Sequence, residues 1–504
     1  MRFGAREAMV ILVAMAFAVA GCSDDDDNGD ADPDAGADVS VDGDVELDAD
    51  EDADHGEDAD HDEDTDYDED VGEDSDADAG PDADAGPGGG DIAECEGMSG
   101  SGFDRDDFDV VEANPDNYRS LKDGLEPGQW LLLEPGEYDI LRVNDLHGDD
   151  GEPIVISGPE DGDGEAVFIR RETNTIQIQN ASHVVLRNLR LDGSTADVGD
   201  AIQARQTSHD ITLENLEIHD YVPRIGINTS NSAPTWNWTI RNVEIKNAST
   251  GMYLGSNGGD NPFVGGLLEY NTISDTTGYN IQIKEQNDRD YEGMPQEPQV
   301  TTIRHNRFIR AGVDRARPNL LVGHFPPEGP GSEDQYLIHN NLFFENEHSS
   351  ENLFQGEGHV AMYNNLFVNS ESGGGLNIFQ HNDVPKDIHV LRNTFVIAGM
   401  AVRIDNPDAD YHQRVSGNAV FAGSPFSLSA DVVESDNFSY DDMQEAESYL
   451  SNPFGELEDL DLSPDSDALN KDEIDHGVSF PGMDRDYACN VRNPSSYGAY
   501  AGSD

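Results

Sequence analysis

The chain has 504 residues, with 105 acidic and 28 basic side chains and a formal net charge of −77 at pH 7. A field of this sign repels polyanions, so the composition argues against nucleic acid as a partner and favours a neutral or cation-bridged ligand. The length allows a large core, and a repeat architecture would not be limited by the usual size of a globular domain.

The first 21 residues have the composition of a targeting segment. Arg2 and Arg6 precede an apolar stretch from Met9 to Ala20, and the segment ends in Ala20-Gly21-Cys22. The apolar stretch is too short to span a membrane. The segment resembles a bacterial lipoprotein signal, which implies cleavage before Cys22, lipidation of that cysteine and a lipid-anchored protein at the outer membrane or cell surface. A plain secretory signal is the alternative.

Residues 22–92 are predicted to be an acidic disordered linker. Between Ser23 and Gly90, 32 of 68 residues are acidic and none is basic. Such a segment cannot bury enough apolar surface to offset its ordering entropy, and its like charges repel. The Asp-x-Asp runs supply oxygen ligands for Ca²⁺, but no EF-hand spacing is present, which favours a solvated tether.

Residues 93–424 are predicted to be one domain, in which an asparagine recurs inside a short apolar frame from Asn188 to Asn418. The copies are 24 to 35 residues apart, and they are Asn188, Asn215, Asn242, Asn271, Asn306, Asn341, Asn365, Asn393 and Asn418. A repeat of this period indicates stacked coils. Around each copy, β-branched and aromatic residues alternate, and Gly, Asn and Asp occupy the joins, which predicts short strands. The sequence therefore predicts an all-β parallel β-helix with asparagines at its bends.

Two segments before the repeats carry a family resemblance. PGQWLLLEPGEY, from Pro127, and GEPIVISG, from Gly151, resemble the opening coils of right-handed parallel β-helix proteins of the pectate-lyase-like superfamily, which includes alginate and chondroitin lyases. The resemblance implies the right-handed fold and a polysaccharide partner, but it identifies a fold better than an activity.

The C-terminal segment, residues 425–504, has a second resemblance. Its Asp484-Arg485-Asp486, Arg492-Asn493-Pro494 and Gly498-Ala499-Tyr500 pieces are similar to the closing module of bacterial surface β-helices. Such a module is expected to cover the open end of the last coil, where unpaired strand edges invite association. A capped chain of this kind is expected to be a monomer.

Cys95 and Cys489 remain once Cys22 is assigned to lipid. In an oxidising envelope such a pair is usually bonded. These residues flank opposite ends of a stack of roughly 50 Å at about 4.8 Å per coil, whereas a disulfide needs Cα atoms within about 7 Å. The bond therefore requires a terminal segment to run back along the helix, and the pairing stays open.

The segment from Lys284 to His324 concentrates basic residues and interrupts the repeat, with insertions at Glu285–Gln299 and Ala311–Gly331. β-Elimination of a uronic polysaccharide needs a base for the proton next to the carboxylate and a cation for the developing charge. The order of Lys284 followed by Arg304 is similar to the lyase pair of the alginate and chondroitinase B family, which implies a base and a stabilising cation. His324 is a candidate acid or sugar ligand.

Calcium is a possible cofactor, but the acidic motif of that family is not recognisable. Glu285 and Asp288 are the substitute ligands that the sequence offers. The alternative for the two cations is that Lys284 and Arg304 face outward and pair with Glu285, Glu269 or Asp288. The alternative for His324 is a structural imidazole.

Three classes of function follow. A surface lyase predicts that Lys284 and Arg304 converge in one groove, with Arg307 and Arg317 as further ligands of the polysaccharide. A noncatalytic glycan-binding or adhesion protein predicts an aromatic strip, for which the candidates are Tyr221, Trp236, Trp238, Tyr253 and Tyr279. A structural surface protein is the third class.

Overall fold

The computed structural model describes residues 102–501, apart from residues 161, 163, 231–232, 288, 290, 372, 472 and 493–495. The predicted signal segment and acidic linker, with Cys22 and Cys95, lie outside the described residues, as does Asp288. The described part is all-β except for short helices at Arg105–Asp107, Tyr118–Lys122, Met443–Ser448 and Asp467–Leu469. None of these described helices has the length and apolar character needed to traverse a lipid bilayer.

Strands of successive coils pair in parallel and form three faces. Face 1 contains Asp109–Ala113, Gln129–Leu133, Ile154–Ser157, 184–187, 211–214, 239–241, Leu267–Glu269, Val300–Arg304, Gln335–His339, Val360–Tyr363, Ile388–Leu391, Gln413–Ser416 and Val433–Ser435. Face 2 contains Gly136–Tyr138, Ala166–Ile169, 189–192, 216–219, 243–246, Thr272–Ser274, Arg307–Ala311, Leu342–Asn346, Leu366–Asn369, 394–397, 419–422 and Phe438–Tyr440. Face 3 contains Leu141–Asn144, 176–179, 202–205, Ile225–Asn228, Thr250–Leu254, Ile281–Ile283, Leu320–Val322, Asn352–Gly356, Gly374–Ile378, 400–404 and 424–428.

Some strands bend through a corner and contribute to more than one face. They are Ile176–Asp192, Ile202–His219, Thr239–Lys246, Thr394–Ile404 and Ala419–Leu428. Short strands at Thr235–Trp236 and Phe263–Val264 pair with each other and with residues 208–209, just before face 1. Beyond the coils, Leu450–Asn452 and Asp461–Pro464 form an antiparallel pair.

The interior is filled by the side chains of every second strand position, because side chains alternate between the two sides of a strand. On face 2 this column is aromatic over four coils. Phe308, Phe343, Phe367 and Phe395 are fully buried, with successive ring centroids 4.8, 4.5 and 4.6 Å apart. Each such side chain contributes about 1.5–3 kcal/mol by leaving water. The predicted solenoid is therefore confirmed, with a continuous apolar core.

From Asn188 onward, the corner between faces 1 and 2 is turned by a left-handed residue, which is Gly417 with a φ angle of 74° in one coil and a non-glycine residue in the others. Its φ angle lies between 49° and 56° at Asn188, Asn215, Asn242, Tyr270, His305, Asn340, Asn364, Arg392 and Asp436. Asparagine adopts this conformation more readily than most residues, which explains its recurrence in the first three coils. In later coils the recurring asparagine comes one residue after the left-handed corner.

From Asn271 onward, the residue after the corner is an inward asparagine that forms a ladder. The ladder consists of Asn271, Asn306, Asn341, Asn365, Asn393, Asn418 and Asn437. In each step the Oδ1 atom accepts from the backbone N–H and the Nδ2 of the preceding rung, as Asn365 does from Asn341 at 3.0 Å each. The first three recurring asparagines are corner residues in a different register and do not join this ladder, whereas Asn437 joins it although the sequence pattern did not include it.

The C-terminal segment does not simply close the end of the stack. The coils continue to Tyr440, and the chain then packs along the outer surfaces of faces 1 and 2. Phe480 and Met483 cover Leu337 and Tyr363 on face 1. This cover protects apolar outer positions of the last coils, a role that the sequence pattern did not reveal.

The same segment runs back past several coils. Lys471 pairs with Asp436, and His476 accepts a hydrogen bond from Arg392. Further on, the Arg485 and Asp486 carbonyls accept from the Nδ2 atoms of Asn364 and Asn340, at 2.8 Å each. The coil residues in these contacts, from Asp436 to Asn340, therefore lie in progressively earlier coils. Cys489, a little further on, is disulfide-bonded. The C-terminal segment thus runs back along the stack as far as the coil of Asn340, while Cys95 lies outside the described residues and its pairing with Cys489 stays a prediction.

Candidate functional site

The outer surface of face 3 carries a column of mostly polar side chains, which we call the face 3 track. Each coil contributes the outward residue between two inward apolar ones, and the strand register aligns them. From the first coil to the last, the track consists of Arg142, Gln177, Gln203, Asn228, Tyr253, Gln282, Leu321, Gln355, Asn377, Arg403 and Ser427. Amides dominate it, so the track is rich in paired donors and acceptors.

A buried carboxyl supports the first half of the track. The Oδ2 atom of Asp200 accepts from Asn228 Nδ2 at 2.8 Å, and its Oδ1 accepts from the Ile225 N–H at 3.1 Å. Burial raises the pKa of Asp200, and the bond from Asn228 offsets part of that rise. Arg205 Nε donates to Gln203 Oε1 at 2.8 Å. The amides of the track are thereby held in fixed orientations.

Lys284 and His324 lie on successive coils at the edge of face 3 that leads to face 1. Lys284 lies two residues beyond Gln282 of the track, and its Nζ is 3.5 Å from Glu285 Oε2. His324 follows the strand of the next coil, and its carbonyl accepts from the Gln286 N–H at 2.9 Å. Two of the three predicted catalytic residues therefore occupy successive coils at one edge of the track.

Glu357 lies at the same edge of face 3, in the coil after that of His324. Its Oε1 and Oε2 atoms accept from the backbone N–H groups of Asn382 and Asp383, at 2.9 Å each. Burial raises the pKa of Glu357, and these bonds, with the nearby charge of His324, offset part of the rise. The carboxyl group thus anchors the neighbouring loop against the edge.

The connections beside this edge are the predicted insertions. Residues 284–299 match the first one, and Arg289 ties it to Asp334 of the next coil while donating to the Pro295 carbonyl at 3.1 Å. The second insertion was placed wrongly, because Leu320–Val322 within it is a regular strand of face 3. The extra residues instead form two connections, 312–319 and 323–334.

Arg304 does not join Lys284. It ends the face 1 strand at the opposite corner, where its Nε and Nη2 atoms contact Glu269 Oε2 at 2.8 and 2.6 Å. Arg241 contacts the other oxygen of the fully buried Glu269 at 2.5 Å. The expected convergence of Lys284 and Arg304 is therefore wrong. The pairing with Glu285 and Glu269 that the alternative expected is present, but these ion pairs are mostly buried rather than on an outward, solvated face.

The other predicted cationic ligands are dispersed over the stack. Arg317 lies 5.7 Å from the ring centroid of Tyr279, at the far edge of face 3 from Lys284. Arg307 begins a face 2 strand, between Thr272 and Leu342 of the adjacent coils. Of these residues, only Tyr279 and Arg317 flank the track.

Neither predicted tryptophan presents a ring to a sugar. Trp238 is fully buried, and its indole N–H donates to the Ser208 carbonyl at 3.2 Å. Trp236 is almost fully buried between His209, on which it stacks at 4.6 Å, and the side chains of Val264 and Met294. Tyr221, also considered for such a strip, is fully buried as well. The expectation of stacking at these three positions is wrong, whereas Tyr253 lies on the track.

The predicted calcium ligands do not form a described site. Glu285 is engaged by Lys284, and Asp288 lies outside the described residues. Among the residues that the structure describes, side chains able to hold a metal gather elsewhere, at His183, His209 and Asp210. The sequence offered a signal for this group, because His183 and Asp210 are 27 residues apart, one coil period.

A concave surface lies on face 2 near its corner with face 1. It has a volume of about 450 Å³ and is lined by Asn188, Asn215, Asn242 and the carboxylates Glu165, Glu217 and Glu244 among others. This surface contains no residue of the face 3 track. Substitutions on it therefore serve as controls for substitutions on the track.

Residues 174–316 match the family model described as a right handed beta helix region. The fold is a right-handed parallel β-helix. No curated protein matches the sequence.

Several solved structures are similar. The pectate lyase Pel9A is 12% identical, with 78% of this chain and 96% of that chain covered and a TM-score of 0.42. An alginate lyase from Paenibacillus sp. strain FPU-7 is 13% identical, with 66% and 96% covered and a TM-score of 0.35. The A-module of mannuronan C-5 epimerase AlgE6 from Azotobacter vinelandii is 14% identical, with 64% and 93% covered and a TM-score of 0.42.

Proposed function

We propose that this protein binds an extended polysaccharide along the face 3 track. The observation that carries the proposal is the alignment of one hydrogen-bonding side chain per coil along most of this face. Amides donate and accept at once, as sugar hydroxyls do. Coils are spaced by about 4.8 Å, which is close to the rise of one sugar unit in an extended glycan, so each coil faces about one unit.

The charge around the track bears on the class of glycan. From Asp91 onward the chain has 72 acidic and 26 basic residues, a net charge of −46, so a highly charged polyanion would be repelled. Arg142, Arg205, Lys284 and Arg403 lie on or beside the track and offer local partners for isolated carboxylates. The ligand class is therefore a neutral or moderately uronic polysaccharide.

Binding is tested by titrating the purified protein with neutral and uronic polysaccharides in a calorimeter. We expect Tyr253→Ala and Gln355→Ala, at partly exposed positions of the track, each to weaken binding about tenfold, because each removes a contact of about 1–1.5 kcal/mol. Asn242→Ala and Glu244→Ala, on the face 2 surface, should leave the association constant unchanged. Weakening confined to the face 2 variants, or binding to none of the glycans, would rule out the track.

Cleavage at the Lys284 edge is a second candidate, favoured by the position of Lys284 and His324 on successive coils beside the track. In this reaction Lys284 first gives one proton to its partner Glu285, 3.5 Å away. The free amine then takes the proton on C5 of a uronic unit, and the electron pair of that C–H bond forms the C4–C5 double bond. The C4–O bond breaks, and His324 gives a proton to the leaving oxygen. Arg304 has no part in it, because it is paired with Glu269 at the opposite corner.

Elimination is measured as ultraviolet absorbance of unsaturated sugar. If the protein cleaves a uronic glycan in this way, we expect Lys284→Ala to lower kcat by about 10²- to 10⁴-fold, the usual contribution of an acid–base group. Lys246→Ala is the control, since Lys246 pairs with Asp275 on face 2. Undiminished turnover by Lys284→Ala would remove the assignment of the base.

A further inference from the structure

Two histidines and a carboxylate meet on adjacent coils, at the corner that leads into face 1. His183 lies in one coil, and His209 and Asp210 lie in the next, where Asp210 is stacked directly on His183 by the strand register. His183 and Asp210 both have left-handed backbones, with φ angles of 50° and 52°. Asp210 Oδ2 is 2.6 Å from His209 Nδ1 and 3.8 Å from His183 Nε2.

We propose that His183, His209 and Asp210 bind a divalent transition metal ion, with Zn²⁺ as the best fit. Imidazole nitrogen and carboxylate oxygen together suit zinc and its neighbours, whereas calcium takes oxygen ligands. A tetrahedral ion with bonds of about 2.0–2.2 Å holds its ligand atoms about 3.3 Å apart. The two observed separations, 2.6 and 3.8 Å, bracket that value, so small side-chain rotations complete the site.

Neighbouring side chains hold two of the ligands in place. Asn237 Nδ2 donates to Asp210 Oδ1 at 3.2 Å, which leaves Oδ2 directed toward the histidines. Trp236 stacks on the His209 ring with an interplanar angle of 6°. The rings of His183 and His209 are nearly perpendicular, at 85°, with centroids 5.9 Å apart. Orientation of ligands by such outer contacts is typical of metal sites.

The site is accessible and electrostatically favourable. The side chains of the three ligands are between 28% and 31% exposed, so an ion can enter and retain a water molecule as its fourth ligand. The strongly negative body of the protein raises the local concentration of cations. The site uses no residue of the face 3 track, so it is independent of the proposed polysaccharide binding.

The test is calorimetric titration of Zn²⁺ into the chelator-treated full-length protein, with excess Ca²⁺ present to occupy the acidic linker. We expect one tight site. His183→Ala and His209→Ala should each weaken it by at least about 100-fold, and Asn237→Ala by about 10-fold, since outer contacts alone account for 10- to 100-fold. The control is His412→Ala, at an exposed histidine in a later coil, which should bind Zn²⁺ like the parent.

A second readout locates the ion. Cu²⁺ bound at this site lies beside Trp236, so it should quench the fluorescence of that residue. Quenching at one equivalent should be reduced in Trp236→Phe, because only the more distant tryptophans such as Trp238 remain, while the Zn²⁺ stoichiometry is retained. Equal Zn²⁺ affinity in His183→Ala, His209→Ala and the parent would overturn the proposal, as would quenching in His209→Ala equal to that of the parent. Circular dichroism of each variant separates loss of the site from loss of the fold.

Discussion

Asn365→Ala should lower the free energy of unfolding by about 4 kcal/mol, because several buried polar groups lose their partners and each orphan costs about 1–3 kcal/mol. Asn365 Oδ1 accepts from the backbone N–H and the Nδ2 of Asn341, at 3.0 Å each, and its Nδ2 donates to the Ile338 carbonyl at 2.8 Å. All of these groups are buried, so water cannot replace the lost bonds. Urea denaturation followed by circular dichroism measures the change.

Two further variants separate the ladder from a general effect of removing an asparagine. Asn215→Ala should cost only about 1 kcal/mol, the cost of a left-handed corner without asparagine, since its bond to Asn188 is exposed. Asn437→Ala, at the half-buried last rung, should fall between the two. Equal losses at Asn215 and Asn365 would show that the ladder adds no stability of its own.

Lowering the pH from 7 to 5 should destabilise the fold by about 2 kcal/mol for each of three buried histidines. Burial lowers the pKa of His305 and His476 to about 3 and that of His339 to about 4. Each folded pKa lies below the unfolded value of about 6.5. The unfolded chain therefore takes up protons first as the pH falls. The contribution of these histidines to the free energy of unfolding is fully present above pH 6.5 and is lost as the pH falls toward 3–4. Buried carboxyls with raised pKa values, such as Asp200 and Glu345, act in the opposite direction above about pH 4.5 and offset part of the loss.

His476→Asn is expected to remove about one third of this pH dependence. His476 accepts from Arg392 Nε at 2.6 Å and lies near the charges of Arg492 and Arg414, so its protonation is opposed from several sides. The exposed His412→Asn is the control and should leave the slope unchanged. Urea midpoints between pH 7 and 5 measure the slope, and a slope identical in His476→Asn and the parent would contradict the assignment.

Much of the architecture was predictable from the sequence because successive coils repeat the same local sequence pattern. Asparagine at a bend, alternating apolar residues and a coil-length period determine a stack of short strands without knowledge of any long-range contact. Ion pairs between coils could also be anticipated, since Glu269 and Arg304 are 35 residues apart, one coil period in that region. The prediction failed where one residue of register mattered, as at Asn271, because a shift of one exchanges the inside and outside of a strand.

The placement of side chains relative to one another was decided only by the tertiary structure. Lys284 and Arg304 are close in sequence, but they flank opposite ends of a face 1 strand, and Trp238 lies inside the coil although tryptophans are plausible surface residues. The return path of the C-terminal segment and the meeting of His183, His209 and Asp210 depend on which coils are stacked. The sequence alone determined the repeat, since its causes are local. Which side chains meet at a site was decided only by the tertiary structure, because the alignment of residues on neighbouring coils depends on the exact number of residues in every turn.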